Sequence, residues 1–177
     1  MTKKVEQLLQ KGEGISIEFK KAFNELPKTL FDTVVAFLNR NGGEILLGIS
    51  DNKSVTGVNE NIAEQLSKQI SNLSNNPQVL FPTFLINANI VTYKGKTLIH
   101  IYIPVSSQVH KYKGKIYDRG SDGDFELKSD EQIKQMYQNT LKILSIRFYN
   151  KTILPKELLT EYEKSYGYIA PITHGMN

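Results

Sequence analysis

The 177-residue chain contains no cysteine. It therefore has neither a disulfide framework nor a thiolate-bound zinc site, and no thiol can act as a nucleophile. The N-terminus lacks the apolar stretch of a secretory signal, and no segment approaches the roughly 20 apolar residues that span a bilayer. We expect a cytoplasmic protein without a membrane partner.

The composition is that of a globular domain, with 40% hydrophobic and 23% charged residues. A formal net charge of +4 favours a polyanionic partner only weakly, because many metabolic enzymes are equally basic. The distribution of the basic residues along the chain therefore matters more than their total.

The spacing of apolar residues predicts an α/β (α+β) fold, in which a mixed, mainly antiparallel sheet packs against helices in the order αβαββαββ(β)α. The predicted helices cover residues 4–10, 26–38, 61–73 and 129–146, and the predicted strands cover 15–20, 44–49, 55–58, two runs within 84–104, and 115–119. Lys94-Gly95 predicts a two-residue hairpin turn between the two longest strands. Asn61 with Glu64, and Ser129 with Gln132, are predicted to cap the helices at 61–73 and 129–146.

The chain is predicted to divide into a main domain, residues 1–146, and a C-terminal extension, residues 147–177. The extension contains a predicted helix over residues 155–166 and then loses its periodicity at glycine and proline positions. We interpret it as a helical extension or as a linker to a downstream domain that this chain lacks.

The first segment with chemical potential combines acidic and basic residues. Glu13 and Glu18 flank a short β-like run, and Lys20 and Lys21 follow directly. One interpretation is a functional site; the other is a strand whose outward residues are charged for solubility. Further along, Arg40 precedes Asn41-Gly42-Gly43, which lets the chain leave a helix and enter a buried strand, and Asp51 follows that strand.

A second segment, residues 110–121, interleaves cations with aromatic rings. Its candidate nucleic-acid-binding residues are Lys111, Tyr112, Lys113, Lys115, Tyr117 and Arg119. Cations can neutralise phosphates while flat rings stack on bases or pack against sugars, which is the combination that nucleic-acid surfaces use. The alternative is a β-edge that lysines protect from aggregation.

These segments resemble, in their order, the Schlafen/AlbA-type domain family, which is described as DNA-binding. The resemblance rests on Glu13 with Ile17-Glu18-Phe19-Lys20, on Ala36-Phe37-Leu38-Asn39 with residues 42–51 and Thr56-Gly57-Val58, and on residues 117–121. It spans roughly residues 5–137. The resemblance implies a Schlafen AlbA-like fold and a module of bacterial transcriptional regulators or RecG-like helicase-related proteins, in which further domains usually follow.

The eukaryotic Schlafen relatives imply a sharper possibility, a nuclease whose carboxylates hold a divalent metal. By that resemblance Glu13, Glu18 and Asp51 would be both catalytic and metal-binding, with Mg²⁺ or Mn²⁺ as the ion. Gly14 stands where the Schlafen pattern has serine. Without nuclease activity, no cofactor is expected.

Three hypotheses remain from the sequence. The first is a nucleic-acid-binding module, with DNA as the expected partner, in which Lys20, Lys21, Arg40, Lys111, Lys113, Lys115 and Arg119 neutralise phosphates beside Tyr112 and Tyr117. The second is the metal-dependent nuclease acting on RNA or DNA. The third is a protein-interaction or homodimerisation module of a larger ATPase-like protein, which pairs through an exposed strand edge.

Overall fold

A computed structural model describes residues 2–151 of the chain, with side chains up to residue 142. The helices are α1 (Thr2–Lys11), α2 (Leu30–Asn39), α3 (Ala63–Ser74) and α4 (Asp130–Lys151). The strands are β1 (Ile17–Lys20), β2 (Gly43–Leu47), β3 (Leu80–Phe81), β4 (Ala88–Tyr93), β5 (Lys96–Ile103), β6 (Lys111–Tyr112), β7 (Tyr117–Gly120) and β8 (Gly123–Glu126).

The main sheet has the strand order β1-β2-β5-β4. β1 and β2 are parallel and are joined through α2, whereas β2 pairs antiparallel with β5 and β5 with β4. The predicted α/β class with a mixed, mainly antiparallel sheet is confirmed. The turn predicted at Lys94-Gly95 joins β4 to β5.

The sheet is buried on both faces. Ile45 and Leu47 of β2 belong to the cluster under α2 and α3, whereas Leu46 between them belongs to the cluster under α1. This alternation follows from the two-residue period of a strand. Helix α1 and the pair α2 and α3 therefore lie on opposite faces of the sheet.

Helix α2 is buried on almost all sides, with every residue except Asp32 buried. One side packs on the sheet, and the other is in contact with β6, β7 and β8. A helix that is apolar all round needs such cover, because an exposed apolar face would remain in water. The short ladders β3–β6 and β7–β8 thus form part of an outer layer on α2.

Several local predictions differ from the structure. The strand predicted over residues 55–58 is reduced to a single bridge between Ile49 and Val55, because Thr56 and Gly57 both donate their backbone N–H to Gly48 O. Helix α3 has no side-chain cap, so the cap predicted at Asn61 is wrong. The cap at Ser129 is confirmed, since its Oγ accepts the N–H of Gln132 at 3.2 Å.

The chain divides into two compact units, Met1–Thr140 and Leu141–Asn177. Helix α4 continues through the predicted boundary at residue 146. The helix predicted over residues 155–166 lies outside the described residues. Of the helices in the described part of the chain, none has the length and apolar character needed to cross a bilayer.

Candidate nucleic-acid interface

Arg119 lies at the centre of a buried ionic cluster, with 2% of its surface exposed. Its guanidinium donates to Glu18 Oε2 at 2.6 Å, to Asp124 Oδ1 at 2.8 Å and to the backbone oxygen of Gly14 at 2.7 Å. Burial opposes its charge, but the hydrogen bonds and ion pairs with Asp124 and Glu18 outweigh that effect and raise the pKa of Arg119. Through these hydrogen bonds Arg119 holds β7 against the edge strand β1.

This geometry corrects the role predicted for Arg119. A guanidinium that is buried and shared between two carboxylates and a backbone oxygen has no face left for a phosphate. The cation in the segment Tyr117 to Ser121 therefore has a structural role in this fold.

The carboxylates predicted to hold a metal have other partners. Glu13 Oε1 accepts the backbone N–H of Phe19 at 3.1 Å, which satisfies a donor on the open edge of β1. Glu18 pairs with Arg119 and, at 3.1 Å, with Lys20, while Asp51 is exposed in the turn after β2. Within the described residues, no three acidic or histidine side chains converge to hold a metal ion. The Mg²⁺ or Mn²⁺ implied by the resemblance does not fit this arrangement.

Other predicted cations are also neutralised by nearby carboxylates. Arg40 pairs with Asp118 at 2.8 Å, and Lys115 pairs with Glu126 at 2.9 Å. Four of the predicted cations, namely Lys20, Arg40, Lys115 and Arg119, therefore each have an acidic partner nearby. The interface therefore cannot be inferred from the summed charge of the predicted residues.

Asp32, in the first turn of α2, is influenced by charged residues that are distant from it in sequence. Burial raises its pKa; a hydrogen bond from Tyr117 lowers it, Asp124 raises it, and the charges of Lys20 and Lys115 lower it. Lys20 and Lys115, which are far apart in sequence, thus lie close enough to act on the same carboxyl group. Burial and the charge of Asp32 raise the pKa of the Tyr117 hydroxyl.

The two tyrosines predicted to stack on bases are engaged by the protein. The Tyr112 ring stacks on Phe31 with centroids 5.7 Å apart, and both Tyr112 and Tyr117 pack against the cluster under α2. Lys113 Nζ lies 5.2 Å from the centroid of the Tyr112 ring. These rings hold the turn in place rather than presenting two free stacking surfaces.

The β3–β6 ladder exposes an aromatic ring that sequence reasoning missed. Phe81 lies opposite Lys111 and Leu80 lies opposite Tyr112. Because residues opposite each other share a face and Leu80 is fully buried, Phe81 and Lys111 face outward. Phe81 is 59% exposed. The sequence signal here was the apolar pair Leu80-Phe81, and two residues are too few to identify a strand.

We call Phe81, Lys111 and Lys113 the β3–β6 patch. Neither lysine forms an ion pair with any described residue, in contrast to Lys20, Arg40 and Lys115. Lys21, at the end of β1, is exposed and likewise has no ion pair in the described part of the chain.

Asn39 positions the start of β6. Its Oδ1 accepts the backbone N–H of His110 at 2.7 Å, and its Nδ2 donates to the backbone oxygens of His110 and Tyr117, both at 3.0 Å. The buried His110 ring contacts Ser106 Oγ at 2.7 Å and the backbone oxygen of Pro82 at 2.7 Å. Burial lowers the pKa of His110, and the hydrogen bond with Pro82 partly opposes that shift. His110 thus supports the start of β6 through contacts of both its ring nitrogens.

Comparison with protein families gives a match to the model described as Schlafen, AlbA_2 over residues 13–128. The chain belongs to this family. The match includes the Arg119 cluster, Asn39 and the whole β3–β6 patch. Membership associates the chain with nucleic acids.

Several solved structures resemble the chain, among them the following two. The DIP2311 protein from Corynebacterium diphtheriae has 17% sequence identity and a TM-score of 0.52, with 71% of this chain and 29% of that chain covered. The N-terminal domain of a RecG-related protein from Nitrosomonas europaea has 24% identity and a TM-score of 0.44, with 56% and 71% covered. The chain thus spans less than a third of DIP2311, and that likeness shows the fold alone. No curated protein matches the chain.

Proposed function

We propose that this domain binds nucleic acid through the β3–β6 patch. The observation that supports the proposal is the pairing of exposed Phe81 with Lys111, beside the turn that carries Lys113. Lysines without carboxylate partners retain the charge that a phosphate needs, and an exposed ring can stack on a base. Family membership supports the same class of ligand.

DNA is the ligand that we expect, in a cytoplasmic transcriptional regulator whose further domains follow this one. Phosphate contacts by lysines give affinity without reading sequence, so sequence preference would come from other parts of such a protein. The nuclease hypothesis has no supporting arrangement of carboxylates in the described residues. Binding without cleavage is therefore the function proposed.

The test is a titration of a labelled duplex of about 20 base pairs and of a single strand of equal length, over a range of salt concentrations. In a Lys111→Gln/Lys113→Asn variant, the slope of log K against log salt for the duplex falls in magnitude by about 2, near 0.9 for each lost phosphate contact. Asparagine suits position 113 because Lys113 has a φ of 49°, a conformation that asparagine tolerates.

Phe81→Ala tests the ring separately. Loss of base stacking lowers single-strand affinity by about 1–3 kcal/mol while leaving the salt slope unchanged, since no charge is removed. The control is Lys3→Gln/Lys11→Gln, which removes the same charge from α1 on the opposite face of the sheet. If both lysine variants weaken binding equally, the ligand senses only net charge and the patch is not its site.

A further inference from the structure

The tetrapeptide Tyr-Lys-Gly-Lys occurs twice in the chain, at residues 93–96 and 112–115. In both copies the first lysine and the glycine have positive φ: 47° and 74° in the copy at 93–96, and 49° and 81° in the copy at 112–115. The lysine Nζ lies over the preceding tyrosine ring in both, at 5.3 and 5.2 Å from the centroid. We call residues 112–115 the first turn and residues 93–96 the second turn.

Turn geometry alone does not require these lysines. A two-residue hairpin turn with positive φ at both positions is formed most readily by Asn-Gly, and a residue such as lysine adopts that conformation at a cost of about 1–2 kcal/mol. Both turns therefore place a cation where a neutral residue would fold better. The shared feature is a charge held above a ring at the tip of a turn.

The second turn carries more uncompensated charge than the first. Lys94 and Lys96 are exposed and form no ion pair with any described residue, whereas Lys115 of the first turn is paired with Glu126. A side chain built at Gly95 would meet no atom within 4 Å, so the tip stands in open space. Both lysines are therefore accessible to an anionic ligand.

A series of contacts connects the second turn to the first. Val58 donates its N–H to Thr97 O at 2.7 Å, and Asn59 donates to Phe23 O at 3.0 Å. Phe23 follows closely on Lys20, whose Nζ donates to Thr29 Oγ1 at 3.2 Å. Two residues after Thr29, the ring of Phe31 stacks on Tyr112 of the first turn with centroids 5.7 Å apart. The contacts run along the end of the sheet at which β1 and β2 finish. Lys21 is exposed on this route, and so is Phe23, at 55%.

We propose that the second turn is a second phosphate-binding contact for the same nucleic acid, so that the interface is bipartite. The inference rests on the proposed function and extends it. The route crosses the sheet from β4 to β1, which is three strand spacings or about 14 Å.

Acidic residues on this route limit the form of the interaction. Glu25, two residues after Phe23, and Glu60, next to Asn59, are exposed. The ligand is therefore held by individual lysines at two places rather than by one uniform positive surface. Exposed Phe23, on the same route, can pack against a sugar or a base.

The test uses the full chain and a labelled duplex of about 20 base pairs, which is long enough to reach both turns. The variant is Lys94→Asn/Lys96→Gln, in which asparagine keeps the turn and both charges are lost. It reduces the magnitude of the salt slope by about 2, as the patch variant does, and a variant combining all four substitutions reduces it by about 4 because the sites act independently. Melting temperatures confirm that each variant is folded.

The outcomes separate this inference from the proposed function. A wild-type slope for the second-turn variant, together with a reduced slope for the patch variant, would overturn the second contact and leave the proposed function intact. A wild-type chain that binds neither duplex nor single strand would overturn both. Equal losses in the second-turn variant and in the α1 control would also overturn the second contact, since net charge would then explain them.

Discussion

Replacement of Arg119 by glutamine should destabilise the domain far more than the same replacement at Arg40. Both arginines are 2.8 Å from an aspartate oxygen, yet their side chains are 3% and 41% exposed. Arg119 also pairs with Glu18 at 2.6 Å. The two positions therefore offer similar pairing distances in different solvent environments.

The magnitude follows from what each replacement leaves behind. Without Arg119, the carboxylates of Glu18 and Asp124, whose side chains are 17% and 11% exposed, remain together with no guanidinium between them. Breaking a buried pair in this way costs about 3–5 kcal/mol. Asp118 is similarly buried, at 15% exposed, but it keeps a hydrogen bond from the backbone N–H of Arg119. Removal of half-exposed Arg40 also opens this single carboxylate to water, so the expected cost is about 0–1 kcal/mol.

Urea denaturation followed by circular dichroism measures both effects. We expect the Arg119→Gln midpoint to fall strongly at an unchanged m-value, and the Arg40→Gln midpoint to shift little. Equal losses for the two variants would show that burial does not govern these pairs.

Three further predictions concern the fold and its assembly. Burial raises the pKa of Asp32, so its charged form opposes folding at pH 7. Urea denaturation should therefore find Asp32→Asn at least as stable as the wild type at pH 7. This advantage should disappear as the pH falls through the pKa of Asp32 in the folded state. Gly42→Ala should lower the melting temperature more than Gly114→Ala, because both glycines have positive φ but a Cβ at Gly42 would lie 2.5 Å from Ile103 O, whereas one at Gly114 meets nothing. Strand β4 is an edge strand of the sheet without a charged residue, and its Ile90 is 42% exposed. Light scattering should therefore find that the wild type is a dimer and that Ile90→Lys is a monomer. A monomeric wild type would contradict pairing through β4.

The main elements of the fold could be predicted from the sequence because local patterns determine them. The apolar spacing of α2, the continuous apolar run of β2 and the Lys94-Gly95 turn each lie within one short stretch. Strands β3 and β6 could not be predicted, because each has two residues and gains its structure from the other, about thirty positions away. Local propensity carries no information about such a pairing.

The candidate site was harder to predict for a related reason. Whether a cation is free depends on carboxylates that are distant in sequence, and Arg119 and Glu18 are separated by 101 positions. Residue type alone therefore assigned the same role to buried Arg119 and to exposed Lys113. Lys94 appeared only as part of a hairpin signal and Lys96 in no prediction, and the exposure of both lysines became apparent in the folded chain.

The charged residues of this domain fall into two physically different groups. Arg119, Glu18, Asp124 and Lys20 bond to one another and hold β7 against the sheet, so their charges contribute to stability. The lysines of the patch and of the second turn are presented on turns that this framework supports, and their charges remain for a ligand. The two groups should behave differently in binding and stability measurements. At a temperature where every variant is folded, Arg119→Gln should bind DNA with the wild-type slope of log K against log salt. The turn variants should show a smaller slope and an unchanged stability. An Arg119→Gln variant that stays fully stable but loses slope would instead identify Arg119 as a phosphate ligand and refute this division.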